Sequence, residues 1–143
     1  MMGGYMATSL TDAWASPKHI IDAVIEEFGS IDLDPASDHF NAVADRYFTK
    51  EDNGLEQDWI GDLVYVNPPY GRGILDWVNK ALLEYVNGRS KRIVMLLPSR
   101  TCTRWFHALY EADYVEIRFI KGRLKYGAGT ANAPFPSILV VIG

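Results

Sequence analysis

The chain has one cysteine, Cys102, and three histidines, His19, His39 and His107, scattered along 143 residues. A lone cysteine forms no internal disulfide, and such scatter offers no ligand spacing for zinc, so no metal is expected. No histidine or acid stands beside Cys102 in sequence to activate it, and it reads as a packing residue near a helix start rather than a nucleophile. No apolar run is long enough to span a bilayer. Residues 1–11 carry neither a basic leader nor a long apolar stretch, so they read as a flexible tail, and a soluble protein of the reducing cytosol is expected. Repeats, linkers and low-complexity tracts are missing too, and the length suits one compact domain.

What the chain does have is Asn67-Pro68-Pro69-Tyr70, set directly after the apolar run Leu63 to Val66. Two successive prolines have no N–H and cannot continue a sheet ladder, so the chain must turn out of the sheet there. An exocyclic amine needs acceptors for its two hydrogens. The Asn67 side-chain oxygen and the Pro68 backbone carbonyl offer two, and Tyr70 offers a face for the ring that carries the amine. The same residues would also serve as a plain strand-terminating turn. In open α/β sheets, however, ligands sit beyond the carboxyl ends of strands, which is where this turn falls.

The hydrophobic pattern supports that placement. Ser16-Pro17 starts a helix, with Ser16 as cap and Pro17 in the first turn, and Ile20, Ile21, Val24, Ile25 and Phe28 follow at helical spacing up to Gly29. Short strands are expected at Ile31 to Asp34 and Arg46 to Phe48, and a buried one at Leu63 to Val66. A helix from Ile74 to Tyr85 stops at Gly88, and a continuous apolar strand runs from Ile93 to Leu97. A third helix is capped by Thr101 or Thr103, and strands follow at Tyr114 to Ile120 and Ser137 to Ile142. Alternating strands and helices, closed by two strands with no helix between them, predict an α/β fold: a mostly parallel sheet with an antiparallel C-terminal edge hairpin.

Three further segments suit a cofactor. Asp34-Pro35-Ala36-Ser37 places a carboxylate at a strand end above small residues, fitting the cationic amino group or ribose of a ligand, although an Asp-Pro turn needs no ligand. Asp58 could accept from an adenine amine with Trp59 packed on its ring, or serve simply as a loop or capping residue. Trp14 precedes the first helix, where backbone N–H groups could meet a carboxylate; it could equally lid the core.

Trp14-Ala15-Ser16-Pro17, Asp32 to Ser37 with Asn41, Gly54 to Trp59, Asn67 to Gly71, Leu97 to Arg100 with Trp105-Phe106, and Gly122 to Leu124 with Ala133-Pro134 form an ordered series across nearly the whole chain. This series resembles the phage-encoded DNA N-6-adenine methyltransferases of the Dam type. The resemblance implies a compact, trimmed Rossmann-like methyltransferase domain over residues 12–143. It implies transfer of a methyl group from S-adenosylmethionine to the N6 amine of an adenine flipped out of double-stranded DNA, in the host cytoplasm. By position, Asn67, Pro68, Pro69 and Tyr70 would form the catalytic turn, with Asn67 and Pro68 on the amine and Tyr70 on the base. Trp14, Ser16, Pro17, Asp34, Ala36 and Asp58 would line the cofactor site.

The chain departs from the common methyltransferase cofactor turn, since no glycine follows Asp34 until Gly54, and the short interval to Asn67 leaves little room for complete βαβ units. A trimmed sheet is the expected result. Asn-Pro-Pro-Tyr by itself is shared with enzymes that methylate protein glutamine or RNA bases, and a glycine-poor turn also suits a non-catalytic nucleic-acid-binding module.

Charge is unevenly spread. Residues 1–70 hold 13 acids and 3 bases, and residues 71–143 hold 5 acids and 11 bases, within a net charge of −4. If Arg72, Arg89, Lys91, Arg92, Arg100, Arg104, Arg118, Lys121, Arg123 and Lys125 shared a face, they would attract a polyanion; otherwise they are solvated surface charges. Arg72, Arg100, Arg104, Arg123 and Lys125 are the expected DNA-phosphate contacts. The absence of a separate recognition domain implies weak or very short sequence specificity.

Overall fold

The computed structural model describes residues 15–71, 73–126 and 132–143. The readings placed on residues 1–11, Trp14 and Arg72 lie outside the described residues. The elements are α1 (Lys18–Phe28), β1 (Leu33–Asp34), β2 (Arg46–Tyr47), a 3-10 turn (Gly54–Glu56), β3 (Val64–Val66), α2 (Ile74–Val86), β4 (Ile93–Pro98), α3 (Arg104–Glu111), β5 (Val115–Phe119) and β6 (Ser137–Ile142).

They form a six-stranded sheet in the order β2-β1-β3-β4-β6-β5. The first four strands are mutually parallel, and β6 runs antiparallel to both β4 and β5. The C-terminal pair expected as an edge hairpin is therefore antiparallel, with the last strand inserted inside the sheet and β5 left at its edge. The sheet is trimmed as well. Parallel neighbours β1 and β2 are joined by residues 35–45 without any helix, where such crossovers ordinarily carry one.

Because successive side chains of a strand face opposite ways, each apolar strand feeds two layers. Val64, Val66, Ile93, Met95, Leu97, Ile138, Val140 and Ile142 point into a cluster with residues of α2 and α3, including Ile74, Trp77, Val78, Ala81, Trp105, Phe106 and Leu109. Tyr65, Val94, Leu96 and Val141 point the other way, to Ile20 and Val24 of α1 and to Leu124, Tyr126 and Ala133. The uninterrupted apolar runs of the sequence are strands covered on both faces.

Helix ends are set by local chemistry. α1 begins one residue later than expected, with Pro17 in extended backbone at the cap position. The Ser16 hydroxyl does not cap it; its Oγ pairs with the Tyr65 hydroxyl at 2.7 Å. Gly29 ends α1 at φ 98°, a left-handed conformation that suits glycine. Thr103 is the cap of α3, accepting from the Phe106 N–H at 3.3 Å.

One glycine is fixed by crowding instead of by φ. A Cβ built on Gly54 would lie 2.0 Å from the Pro35 carbonyl oxygen and 3.1 Å from the Trp77 ring. The 3-10 turn therefore sits against the strand-end segment after β1 with no room for a methyl group. Gly54→Ala is expected to lower the unfolding free energy by about 1–3 kcal/mol in urea titration, the usual range for an overpacked site. A change below about 0.5 kcal/mol, the range of a neutral surface substitution, would contradict this close approach.

Candidate active site

The carboxyl ends of β1 and β3 lie side by side because Leu33 is paired with Val64. From that edge a cavity of about 490 Å³ opens, within the roughly 300–1,000 Å³ typical of small-molecule sites. The β1 end contributes Asp34, Pro35, Ala36, Ser37 and Asp38, and the β3 end contributes Asn67, Pro68, Pro69 and Tyr70. Ala15 and Ser16, ahead of α1, line it as well. The two segments, which the sequence separates by 28 residues, thus face one space.

Residues 35–45 keep their shape through side-chain acceptors in place of a helix. Asp38 Oδ1 accepts from the N–H groups of Phe40 and Asn41, both at 2.8 Å. Asp34 Oδ2 accepts from the Val43 N–H at 3.2 Å. The Ser37 N–H donates to the Phe48 carbonyl, and the Phe48 N–H to the Asp34 carbonyl, tying this loop to the end of β2.

Asp34 is a buried acid. Burial pushes its carboxyl up to about 6, against the pull of hydrogen bonds from Val43, Ala36 and Ser37, and the nearby Asp38 charge adds to the rise. An acid held this way ionises more readily once a cation or hydrogen-bond donor joins it.

Tyr70 is held from behind. Its hydroxyl donates to the Leu96 carbonyl at 3.1 Å and pairs with the Tyr126 hydroxyl at 3.1 Å; Tyr126 in turn pairs with Ser137 Oγ at 2.8 Å. Phe135 meets the Tyr70 ring edge-on at 5.3 Å between centroids. Burial raises the Tyr70 phenol well above its ordinary range, and the Tyr65 phenol likewise.

Three residues expected at the cofactor, Asp58, Trp59 and Pro17, are not among the lining residues. Asp58 does not line the cavity: its side chain is 68% exposed and faces Arg89 Nε at 3.9 Å. Trp59 is fully buried, stacked on Trp77 at 6.0 Å, and its Nε1–H donates to the Gly54 carbonyl at 2.8 Å. The pair is a brace, since Trp77 and Gly54 are themselves cavity wall. Behind it, buried Glu84 accepts from the Trp59 backbone N–H and pairs with Arg89. Burial pushes the Glu84 carboxyl up, but the Arg89 and Trp59 hydrogen bonds and the Lys80 charge hold it net below the usual range. Pro17 is buried at the head of α1 and is not among the lining residues.

Sequence reasoning missed several wall residues: Val43, Phe48, Lys50, Asn53, Tyr65 and Trp77. For Tyr65 the signal was available, because it alternates with Val64 and Val66 and so must face the opposite layer. Lys50 and Asn53 sit in a polar loop with no periodicity to place them.

Several of the described basic residues are already taken up by partners. Arg89 pairs with Glu84, Lys91 with Asp62, and Arg118 with Glu27 and Glu116, while Arg92 Nε donates to the Gly143 carbonyl. Arg100, Arg104, Arg123 and Lys125 are exposed and in no ion pair among the described residues. Arg100 and Arg104 follow β4, and Arg123 and Lys125 follow β5, whose direction matches β4. All four therefore leave the same sheet edge as the cavity.

With this geometry in place, comparison with known proteins is decisive about kinship. A family model described as DNA N-6-adenine-methyltransferase (Dam) matches residues 4–137. The chain belongs to that family. It is 32% identical over 99 residues to the DNA N-6-adenine-methyltransferase of Escherichia phage T1, covering 68% of this chain and 40% of that protein. It is 33% identical over 96 residues to the corresponding protein of Haemophilus phage HP1, covering 66% of this chain and 54% of that one. The matched part thus spans about half, or less, of these relatives. A solved structure titled human methyltransferase 10 domain containing protein superposes with a TM-score of 0.52 at 13% identity, over 87% of this chain and 80% of that one, a likeness of fold.

Asp34 makes stability depend on pH in a definite direction. Its folded-state value of about 6 lies above the ordinary 3.8, so the folded protein takes up the proton first and gains stability as pH falls through 6. Between pH 7 and pH 5 this group alone should add on the order of 1 kcal/mol to the unfolding free energy of the ligand-free protein. Asp34→Asn should flatten that part of the profile; an unchanged profile would show that Asp34 ionises normally.

Proposed function

We propose that this chain is a DNA adenine methyltransferase that uses S-adenosylmethionine and acts on the N6 amine of an adenine swung out of the duplex. The observation that carries this reading is the single cavity walled by both the Asp34 to Asp38 segment and the Asn67 to Tyr70 turn. A methyl transfer needs donor and acceptor pockets that adjoin, and family membership supplies the reaction class.

The walls suit the donor. A buried carboxylate with a raised proton affinity, at a strand end lined by Pro35, Ala36 and Ser37, would receive a cationic amino group or a ribose hydroxyl, with Ser16 beside it. When bound, S-adenosylmethionine supplies an electrophilic methyl group on a sulfonium.

The chain's own residues then do the rest. The Asn67 side-chain oxygen and the Pro68 carbonyl accept the two hydrogens of the amine, drawing its nitrogen toward a tetrahedral shape that frees the lone pair for attack. Tyr70, fixed through its hydroxyl, presents its ring to the base. Unstacking and unpairing the adenine costs a few kcal/mol, which contact with Tyr70 and the cavity wall offsets. Arg100, Arg104, Arg123 and Lys125 bind phosphates of double-stranded DNA at the same edge and fix the duplex without reading its sequence.

Incubation with labelled S-adenosylmethionine and duplex DNA, followed by digestion to nucleosides, should yield N6-methyladenine; label only in protein or RNA would refute the reading. Asn67→Ala should lower kcat at least about 100-fold, the cost of removing one preorganised partner of the transition state, while leaving cofactor affinity within a few fold. Normal turnover in that variant would exclude the amine clamp.

Replacing Arg100 or Arg123 by Ala should weaken DNA binding equally across sequences and reduce the salt slope by about one. An unchanged slope would return these residues to solvated surface.

A further inference from the structure

Among the described residues the sheet ends at β5, and this edge carries a pattern that matches itself. In the β5–β6 pair the Gly143 N–H donates to the Tyr114 carbonyl and the Ile120 N–H to the Ser137 carbonyl. Hydrogen-bonded positions alternate in an antiparallel pair, so the even-numbered residues of this segment bond to β6 and Val115, Ile117 and Phe119 aim their backbone groups outward. The Val115 N–H turns back to the Ala112 carbonyl, which leaves the Ile117 and Phe119 N–H groups and three carbonyls along the edge. One sheet face of this edge is apolar: Val115, Ile117 and Phe119 form a groove with Thr101, Phe106 and Tyr110, in which Phe119 is 66% and Tyr110 70% exposed. On the other face lie Glu116 and Arg118, joined to each other, with Arg118 also paired to Glu27 of α1.

We propose that a second copy of this chain docks here, its β5 antiparallel to the first, with the two-fold axis at Ile117. Among registers that pair at least three residues of each β5, the outward hydrogen-bonding groups of odd-numbered residues allow centres on Glu116, Ile117 or Arg118. A centre on Glu116 or on Arg118 would set two like charges directly opposite, which is unfavourable. The centre on Ile117 pairs Glu116 of each copy with Arg118 of the other at the close, non-hydrogen-bonded position, and Val115 with Phe119 on the apolar face. The charge pattern thus selects a single register, and the apolar grooves of the two copies run together under their α3 helices.

Such pairing joins two sheets into one continuous sheet and covers the unprotected edge of each. Because β5 runs in the direction of β4, the two copies' cavities open at opposite edges of the joined sheet. On the proposed function, each copy then meets a separate stretch of DNA.

Sedimentation velocity on the full chain tests the pairing. The wild type should pass, with rising concentration, from 16.1 kDa to a species of twice that mass. Glu116→Arg and Arg118→Glu each create like-charge pairs across the axis and should weaken self-association about tenfold or more, a modest figure for two reversed surface ion pairs. Mixing the two variants should restore it, because each then presents the complement of the other. Thermal unfolding of both variants checks that the fold is retained. A wild type that stays monomeric at high concentration, or a dimer that neither variant weakens, would overturn the proposal. So would two weakened variants that fail to associate when mixed.

Discussion

The parallel pairing of β1 with β3, Leu33 against Val64, is the constraint from which the site follows. It sets the end of one strand, carrying a buried carboxylate, beside the end of another, carrying a turn that two prolines force out of the sheet. Neither segment makes a cavity alone. The acid needs a neighbouring wall to be buried, and the turn needs a floor, which Tyr70 receives through its bonds to Leu96 and Tyr126.

A sheet this short must replace what a longer one supplies through helices. Between β1 and β2 the carboxylates of Asp34 and Asp38 gather backbone N–H groups that a helix would otherwise satisfy internally. On the far wall, the approach of Gly54 to Pro35 closes the cavity, and Trp59, Trp77 and Glu84 support it from the core side. Glycine is thus needed here for contact between segments, at a place unlike the glycine-rich cofactor turn whose absence the sequence suggested. The polar cradle and the braced wall account for a domain that keeps its cavity with few elements.

Much of this was legible in the residues. Apolar runs such as Ile93 to Leu97 can only be strands covered on both faces, and the spacing from Ile20 to Phe28 can only bury one side of a helix. Asn67-Pro68-Pro69-Tyr70 announced a strand end, and Asp34-Pro35 another. What periodicity does not carry is partnership across the chain. Nothing local distinguishes Asp58, which faces Arg89 in solvent, from an acid in a pocket, and Trp59 satisfies its N–H on a carbonyl instead of packing on a ligand. Linear charge misled in the same way: Lys91 and Arg118 are paired with acids distant in sequence, Arg89 with the buried Glu84, and only the topology shows which cations leave the cavity's edge. Ser16, too, looked like a helix cap until the strand behind it brought Tyr65 within 2.7 Å.

The shared cavity is tested most directly by a crystal structure with S-adenosylhomocysteine bound. Expected is a ligand whose amino acid or ribose portion meets the Asp34 to Asp38 segment while its sulfur faces the Asn67 side chain across open space. A ligand seated near Asp58, or one whose sulfur is walled off from Asn67 by packed side chains, would contradict the placement of donor and acceptor in one site.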